Sequence, residues 1–139
     1  MIYITRRERF TAAHRLFKAE LNDAQNTAMF GGCANPNWHG HNYEIYVTVK
    51  GNVDPKLGYL VNLKDLSQLI QIHVTEKLDH KNLNMDVDFL KDIMTSTENV
   101  AIAIWEQLEK PIHELGAHLH CIKLVETENN YVAYFGEKQ

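Results

Sequence analysis

Between residues 42 and 50 the sequence alternates without a break. Tyr43, Ile45, Val47 and Val49 share one side of an extended chain, and Glu44, Tyr46, Thr48 and Lys50 share the other. Only a strand sorts side chains with a period of two, so this stretch commits the fold to a sheet. Residues 2–14 open the chain with a second alternating run. Residues 119–127 and 131–135 read as two more strands, joined by a tight turn at Glu128, Asn129 and Asn130.

Helices fit between these strands. Residues 63–78 place Leu63, Leu66, Ile70 and Val74 at helical intervals behind Asn62, a side chain suited to capping. Thr95 and Glu98 have capping-box spacing ahead of Val100, Ala101, Ile104, Trp105 and Leu108, and Pro111 is expected to stop that helix. A short helix over 23–30 interrupts the long connection from Leu16 to Gly40, and connections of that length are usually functional. The order β, β, α, α, β, β predicts an α+β fold in one domain over residues 1–139: a four-stranded antiparallel sheet with two helices on one face. Tyr46 beside Val47 and Cys121 beside Ile122 put apolar or aromatic groups on both faces of that sheet. No helix remains for the second face, so an oligomer is expected, with sheets joined edge to edge into a closed barrel.

A chain of 139 residues buries a sufficient core without disulfides or a structural metal. Its 45% hydrophobic and 23% charged residues exclude wholesale disorder. Fourteen Lys and Arg against 18 Asp and Glu leave a net charge of −4, which gives nucleic acid no basic field to bind. No apolar run approaches the roughly 18–20 residues of a membrane span, and the first residues lack the order of a secretory signal. Cys33 and Cys121 form no disulfide framework, so a cytoplasmic location is expected. The unusual number is eight histidines.

His39 and His41 stand two apart at the mouth of the 42–50 strand, so their imidazoles point to one side and can reach one metal ion. Gly40 between them allows a turn or a close approach. His14, at the end of the first strand, supplies a third nitrogen if the two strands pair near that point. Three neutral imidazoles leave Zn²⁺ one open position, as in catalytic sites. Cys33, in a polar glycine-flanked loop six residues before His39, reads as a fourth ligand, a nucleophile or base, or an inert thiol. Cys121 reads as core. Asp79 and His80 can form an acid–histidine relay only in a turn, since neighbours on regular structure point apart. Glu126, near a strand end, can take the amide-like edge of a heterocycle with two hydrogen bonds. His118 and His120, with His113 upstream, repeat the two-residue spacing and form a rival cluster without a nearby thiol or long loop.

These residues sit in motifs that resemble the 6-pyruvoyl-tetrahydropterin synthase / 6-carboxytetrahydropterin synthase family. They are Phe10-Thr-Ala-Ala-His-Arg-Leu, Phe30-Gly-Gly-Cys-Ala-Asn-Pro-Asn-Trp-His-Gly-His-Asn-Tyr, Leu78-Asp-His-Lys-Asn-Leu, Ser96-Thr-Glu-Asn-Val-Ala and Val125-Glu-Thr-Glu-Asn-Asn, in the family's order across nearly the whole chain. The carboxy-forming branch typically places three residues between the cysteine and the first paired histidine. Here there are five, which resembles the pyruvoyl-forming branch.

The resemblance implies the tunnelling fold, with trimers closing a twelve-stranded barrel and stacking into a homohexamer whose active sites lie between subunits. It implies conversion of 7,8-dihydroneopterin triphosphate into 6-pyruvoyl-tetrahydropterin and triphosphate, as in tetrahydrobiopterin biosynthesis. His14, His39 and His41 would hold Zn²⁺, Cys33 would accept a proton, and Asp79 and His80 would form the relay together with Glu126. Glu126 would also anchor the pterin, while Ser96, Thr97 and Glu98 line its pocket. Ser96 stands where a second threonine is expected. Arg15, Lys18 and Lys81 are candidates for the triphosphate. The alternatives are a carboxytetrahydropterin synthase, which would release acetaldehyde, and a non-catalytic zinc module with Cys33 as fourth ligand.

Overall fold

Strand β1 (Ile2–His14) and strand β2 (His39–Gly51) pair antiparallel over their whole length, from Ile2 opposite Gly51 to His14 opposite His39. The computed structural model describes residues 1–138. β4 (His118–Thr127) pairs antiparallel with β2, and β5 (Asn130–Tyr134) closes a hairpin on β4. The 42–50 run therefore sits at the sheet's centre, and its buried side, Tyr43, Ile45, Val47 and Val49, meets Ile122 and Leu124 of β4.

The sheet is not the expected four-stranded antiparallel one. A two-residue strand, β3 (Lys81–Asn82), pairs parallel with Ala12 and Ala13, giving five strands in the order β3-β1-β2-β4-β5. Two residues carry no alternation to read. β3 owes its pairing to the chain leaving the helix before it beside β1.

Helices α2 (Leu63–Ile70) and α4 (Thr97–Glu114) cover the apolar face, while α1 (Asp23–Phe30) caps the long connection between β1 and β2. The expected helix over 63–78 is present in three pieces: α2, a π turn (Gln71–Thr75) and α3 (Glu76–Leu78). Its wholly buried residues are Leu66, Ile70, Val74 and Leu78, always four apart, whereas Leu63 is exposed. On a helix of 3.6 residues per turn each such step overshoots by about 40°. A wider π turn absorbs the drift and keeps the stripe on the sheet. Asn62 caps α2 as expected, accepting from Lys64 N.

α4 is capped by Ser96, which accepts from Asn99 N, and not by Thr95. Nor does Pro111 stop it. The helix runs on to Glu114 because Ile112, fully buried, extends the Leu108 stripe by another turn and offsets the missing hydrogen bond. Gly116, at φ +94°, makes the stop.

The second face of the sheet is mixed: Tyr46, Cys121, Val125 and Tyr131 lie on it, as expected, among paired polar groups. Thr5 and Thr48 share a hydroxyl hydrogen bond of 2.8 Å, Arg7 pairs with Glu44 at 2.8 Å, and Thr11 donates to Asn42 at 2.9 Å. Lys123 lies over the rings of Tyr46 and Tyr131. Cys121 is half-buried on this side and not in the core. The unpaired backbone lies at the edges, where β3 covers only Ala12 and Ala13 of the long β1. No helix among the described residues is long and apolar enough to cross a membrane.

The packing predicts a contrast between two leucine-sized sites. Ile104→Ala, in the centre of α4, should cost about 2–5 kcal/mol in urea unfolding. Leu63→Ala, on the exposed side of α2, should change stability by no more than about 0.5 kcal/mol.

Candidate metal centre and its surroundings

The β1–β2 register brings three histidines together. His14 faces His39 directly, and His41 follows on the same side opposite Ala12. The ring centroids lie 4.5 Å (His14–His39), 5.1 Å (His14–His41) and 5.0 Å (His39–His41) apart. One ligand atom from each falls within 4.8 Å of the others, a group that could hold a metal ion. Gly40 serves close approach and not a turn: a Cβ there would stand 3.3 Å from the Ala12 carbonyl oxygen. Trp38, at φ +68° and edge-on to Phe17, bends the incoming loop into β2.

His14 is 1% exposed and its Nδ1 donates to the Thr95 carbonyl at 2.8 Å. That bond fixes the tautomer and leaves Nε2 with a bare lone pair. His14 Nε2, His39 Nδ1 and His41 Nε2 are all buried without a partner. Burial holds all three imidazoles below their ordinary pKa, so they are neutral at pH 7 and ready to ligate. The residues present fit a metal ion.

Glu126 arrives from β4. Its Oε1 lies 3.6 Å from His41 Nε2, and its Oε2 accepts from the hydroxyl of Thr97, the first residue of α4. Ser96 uses its hydroxyl as the helix cap, and Glu98 is exposed. Cys33 sits in a 3₁₀ turn (Gly31–Ala34), half-buried and outside the group of three ligand atoms. The turn is tied to the end of β1 by Leu16 N donating to the Cys33 carbonyl at 2.9 Å and Arg15 Nε donating to the Ala34 carbonyl at 2.8 Å. Arg15 also pairs with Asp23 and lies over Phe17. Its guanidinium is thus committed inside the chain.

Asp79 and His80 do form a pair, Oδ2 to Nδ1 at 2.9 Å, in a turn where His80 takes φ +58°. Asp79 Oδ1 accepts from Thr11 N, which, with His80 beside it, holds the carboxyl below the usual carboxylate range. This pair is fixed to the outer edge of β1, and the His80 side chain is 83% exposed. Among the described residues no hydrogen bond or ring contact joins it to the three histidines. The rival histidines do not assemble. His113 and His118 meet tilted with ring centroids 5.4 Å apart, while His120 packs on Tyr3 and Phe135.

Two participants were not singled out in the sequence. The Thr95 carbonyl carries no residue-type signal. Tyr43, two beyond His41 on the same side, was legible from the alternation, but as an aromatic it reads as core. Its hydroxyl is buried without a partner and its pKa is raised, by burial first and then by Glu126.

A sheet end bearing three bare imidazole nitrogens, with a carboxylate and a thiol loop beside them, defines a candidate metal-dependent enzyme. The family model described as 6-pyruvoyl tetrahydropterin synthase matches residues 3–137. The 6-pyruvoyl tetrahydrobiopterin synthase of Pongo abelii is 47% identical over 134 residues, covering 96% of this chain and 91% of its own. The solved Caenorhabditis elegans 6-pyruvoyl tetrahydropterin synthase superposes with a TM-score of 0.88 at 37% identity, covering 98% and 96% of the two chains. The 6-carboxy-5,6,7,8-tetrahydropterin synthase of Bacillus subtilis is 30% identical over 105 residues, 72% of this chain and 69% of its own. The chain belongs to the 6-pyruvoyl tetrahydropterin synthase family, a family of enzymes.

His39→Ala should abolish metal retention, whereas His118→Ala should leave it intact, as metal analysis after dialysis will read. The lowered imidazole pKa values also fix a sign. The unfolded chain binds these protons near pH 6.5 while the folded chain resists them, so the stability they contribute is complete above that pH. It is lost as the pH falls through the lowered values. The urea midpoint of metal-free protein should therefore drop from about pH 8 to about pH 5, and drop less in a variant lacking all three histidines.

Proposed function

We propose that the chain is a zinc-dependent lyase that converts 7,8-dihydroneopterin triphosphate into 6-pyruvoyl-tetrahydropterin with release of triphosphate. The observation that carries this reading is the set of three buried, neutral, unpartnered imidazole nitrogens, in a chain so similar to 6-pyruvoyl tetrahydrobiopterin synthases. His14, His39 and His41 would hold Zn²⁺, whose positive charge would acidify the carbons bearing the substrate's side-chain hydroxyls.

The other residues bind, orient and move protons. Cys33, clamped beside His14, takes a proton from the substrate side chain. Glu126, held by Thr97, anchors the pterin and shares in the relay, with Ser96 and Glu98 near the same helix end. Asp79 keeps the His80 imidazole in one tautomer and stabilises its charged form. Because no hydrogen bond or ring contact joins this exposed dyad to its own histidines, it serves a neighbouring subunit. The unpaired edges of β1 and β5 support that assembly: β1, β2, β4 and β5 of three chains would close a twelve-stranded barrel, and two such trimers a hexamer. The free thiols Cys33 and Cys121 suit the reducing cytosol.

Five residues between Cys33 and His39 favour the pyruvoyl product over the carboxy product. Incubation with dihydroneopterin triphosphate decides: 6-pyruvoyl-tetrahydropterin is expected, and acetaldehyde with 6-carboxytetrahydropterin would assign the other branch. Cys33→Ala should retain stoichiometric zinc and lose turnover by about 10²–10⁴-fold, and loss of zinc would instead make Cys33 a ligand. Co-expressed Cys33→Ala and His80→Ala chains, each inactive alone, should recover about a quarter of wild-type activity in mixed oligomers. Background activity in proven mixtures would put both residues in one chain.

A further inference from the structure

Four buried side-chain polar atoms among the described residues lack a hydrogen-bond partner: His14 Nε2, His39 Nδ1, His41 Nε2 and the Tyr43 hydroxyl. A metal ion accounts for the three nitrogens. It does not account for the phenol, since a neutral hydroxyl held among neutral imidazoles is a poor ligand.

Tyr43 is 1% exposed, and its ring stacks on Phe10 at 4.8 Å with 12° between the planes. It meets His41 edge-on at 5.5 Å and His14 at 6.1 Å. A phenylalanine would make the same stack and the same edge contacts without burying an oxygen. Packing therefore explains the ring and leaves the hydroxyl unexplained, and buried polar groups without partners are rare because each is costly. The three imidazole nitrogens are as closed to solvent as the phenol oxygen, so the four atoms form one enclosed group without partners.

We propose that the Tyr43 hydroxyl is a further substrate-binding group, donating a hydrogen bond to a side-chain oxygen of the ligand held at the three histidines. It rests on the metal reading above. An ordinary phenol keeps its proton at neutral pH, so Tyr43 has a hydrogen to donate. The class of ligand follows from the donor set. One donor beside a cation with an open position fits two adjacent oxygens, as in a vicinal diol or hydroxyketone, one facing the cation and the other the phenol. When a neighbouring carbon loses its proton, charge gathers on such an oxygen. A donor already fixed in a dry site then strengthens its bond without reorganisation.

Tyr43→Phe tests this, with acetohydroxamate as the probe because it presents two adjacent oxygens, one for zinc and one for the phenol. The zinc-loaded variant should keep one zinc per chain and bind acetohydroxamate about tenfold more weakly than wild type by calorimetry, the loss of one hydrogen bond. With the pterin substrate, kcat should fall more than KM rises. The metal-free variant should melt no lower than metal-free wild type, because an idle buried hydroxyl has been removed. Equal acetohydroxamate affinity in two proteins that both hold zinc would overturn the role of Tyr43 and leave the metal reading intact. A lower melting point of the metal-free variant with unchanged probe affinity would make the hydroxyl structural and overturn it likewise. Failure of wild type itself to hold zinc would overturn the metal reading, and this inference with it.

Discussion

The pairing of β1 with β2 runs thirteen residues without a slip, and every feature of the candidate site inherits its accuracy. A shift of one residue would turn His14 to the opposite side from His39 and His41, and would also expose Phe10 and Ala12. The core and the metal centre are thus specified by one register. Phe10 on Tyr43 is the point where the two meet. Inward from that stack the sheet carries Ile45, Val47 and Val49, outward from it the imidazoles.

The beginning of α4 is the second organising element. Within three residues it supplies a carbonyl to His14 from Thr95, a helix cap from Ser96 and a hydroxyl to Glu126 from Thr97. Thr95 is itself fixed, since its hydroxyl donates to Asn84, whose amide holds both backbone groups of Arg15. A chain of hydrogen bonds therefore runs from the loop after β3 to His14 Nδ1, the ring nitrogen opposite the metal-facing Nε2. Ligand orientation here is a property of backbone placement as much as of side-chain identity.

The parts legible in the sequence were those with a period. The 42–50 alternation gave β2 and its buried side, and the two-residue spacing of His39 and His41 gave a shared direction. What escaped had no period or obeyed a stronger term. β3 is too short for a pattern. Pro111 reads as a stop only until Ile112 is seen buried, where packing outweighs the lost hydrogen bond. Tyr46 beside Val47 announced an aromatic on the second face, but not the partners it finds there, Glu44 on its hydroxyl and Lys123 over its ring. Cys33 and the Asp79–His80 pair were visible as chemistry, but the bond within the pair depends on a turn at φ +58° that no residue type announces.

The π turn between α2 and α3 has a geometric consequence beyond keeping Leu66, Ile70, Val74 and Leu78 on the sheet. It is one residue longer per turn than the helix around it, so it sets how far the chain travels before Asp79 reaches Thr11. Removing a residue from Gln71–Thr75 would relax the helix to ordinary winding and leave the chain short, with Asp79 rotated off the β1 edge. The irregular turn works as a spacer gauge. It trades regular winding for the reach of a carboxylate that lies far from it in function and only four residues from it in sequence.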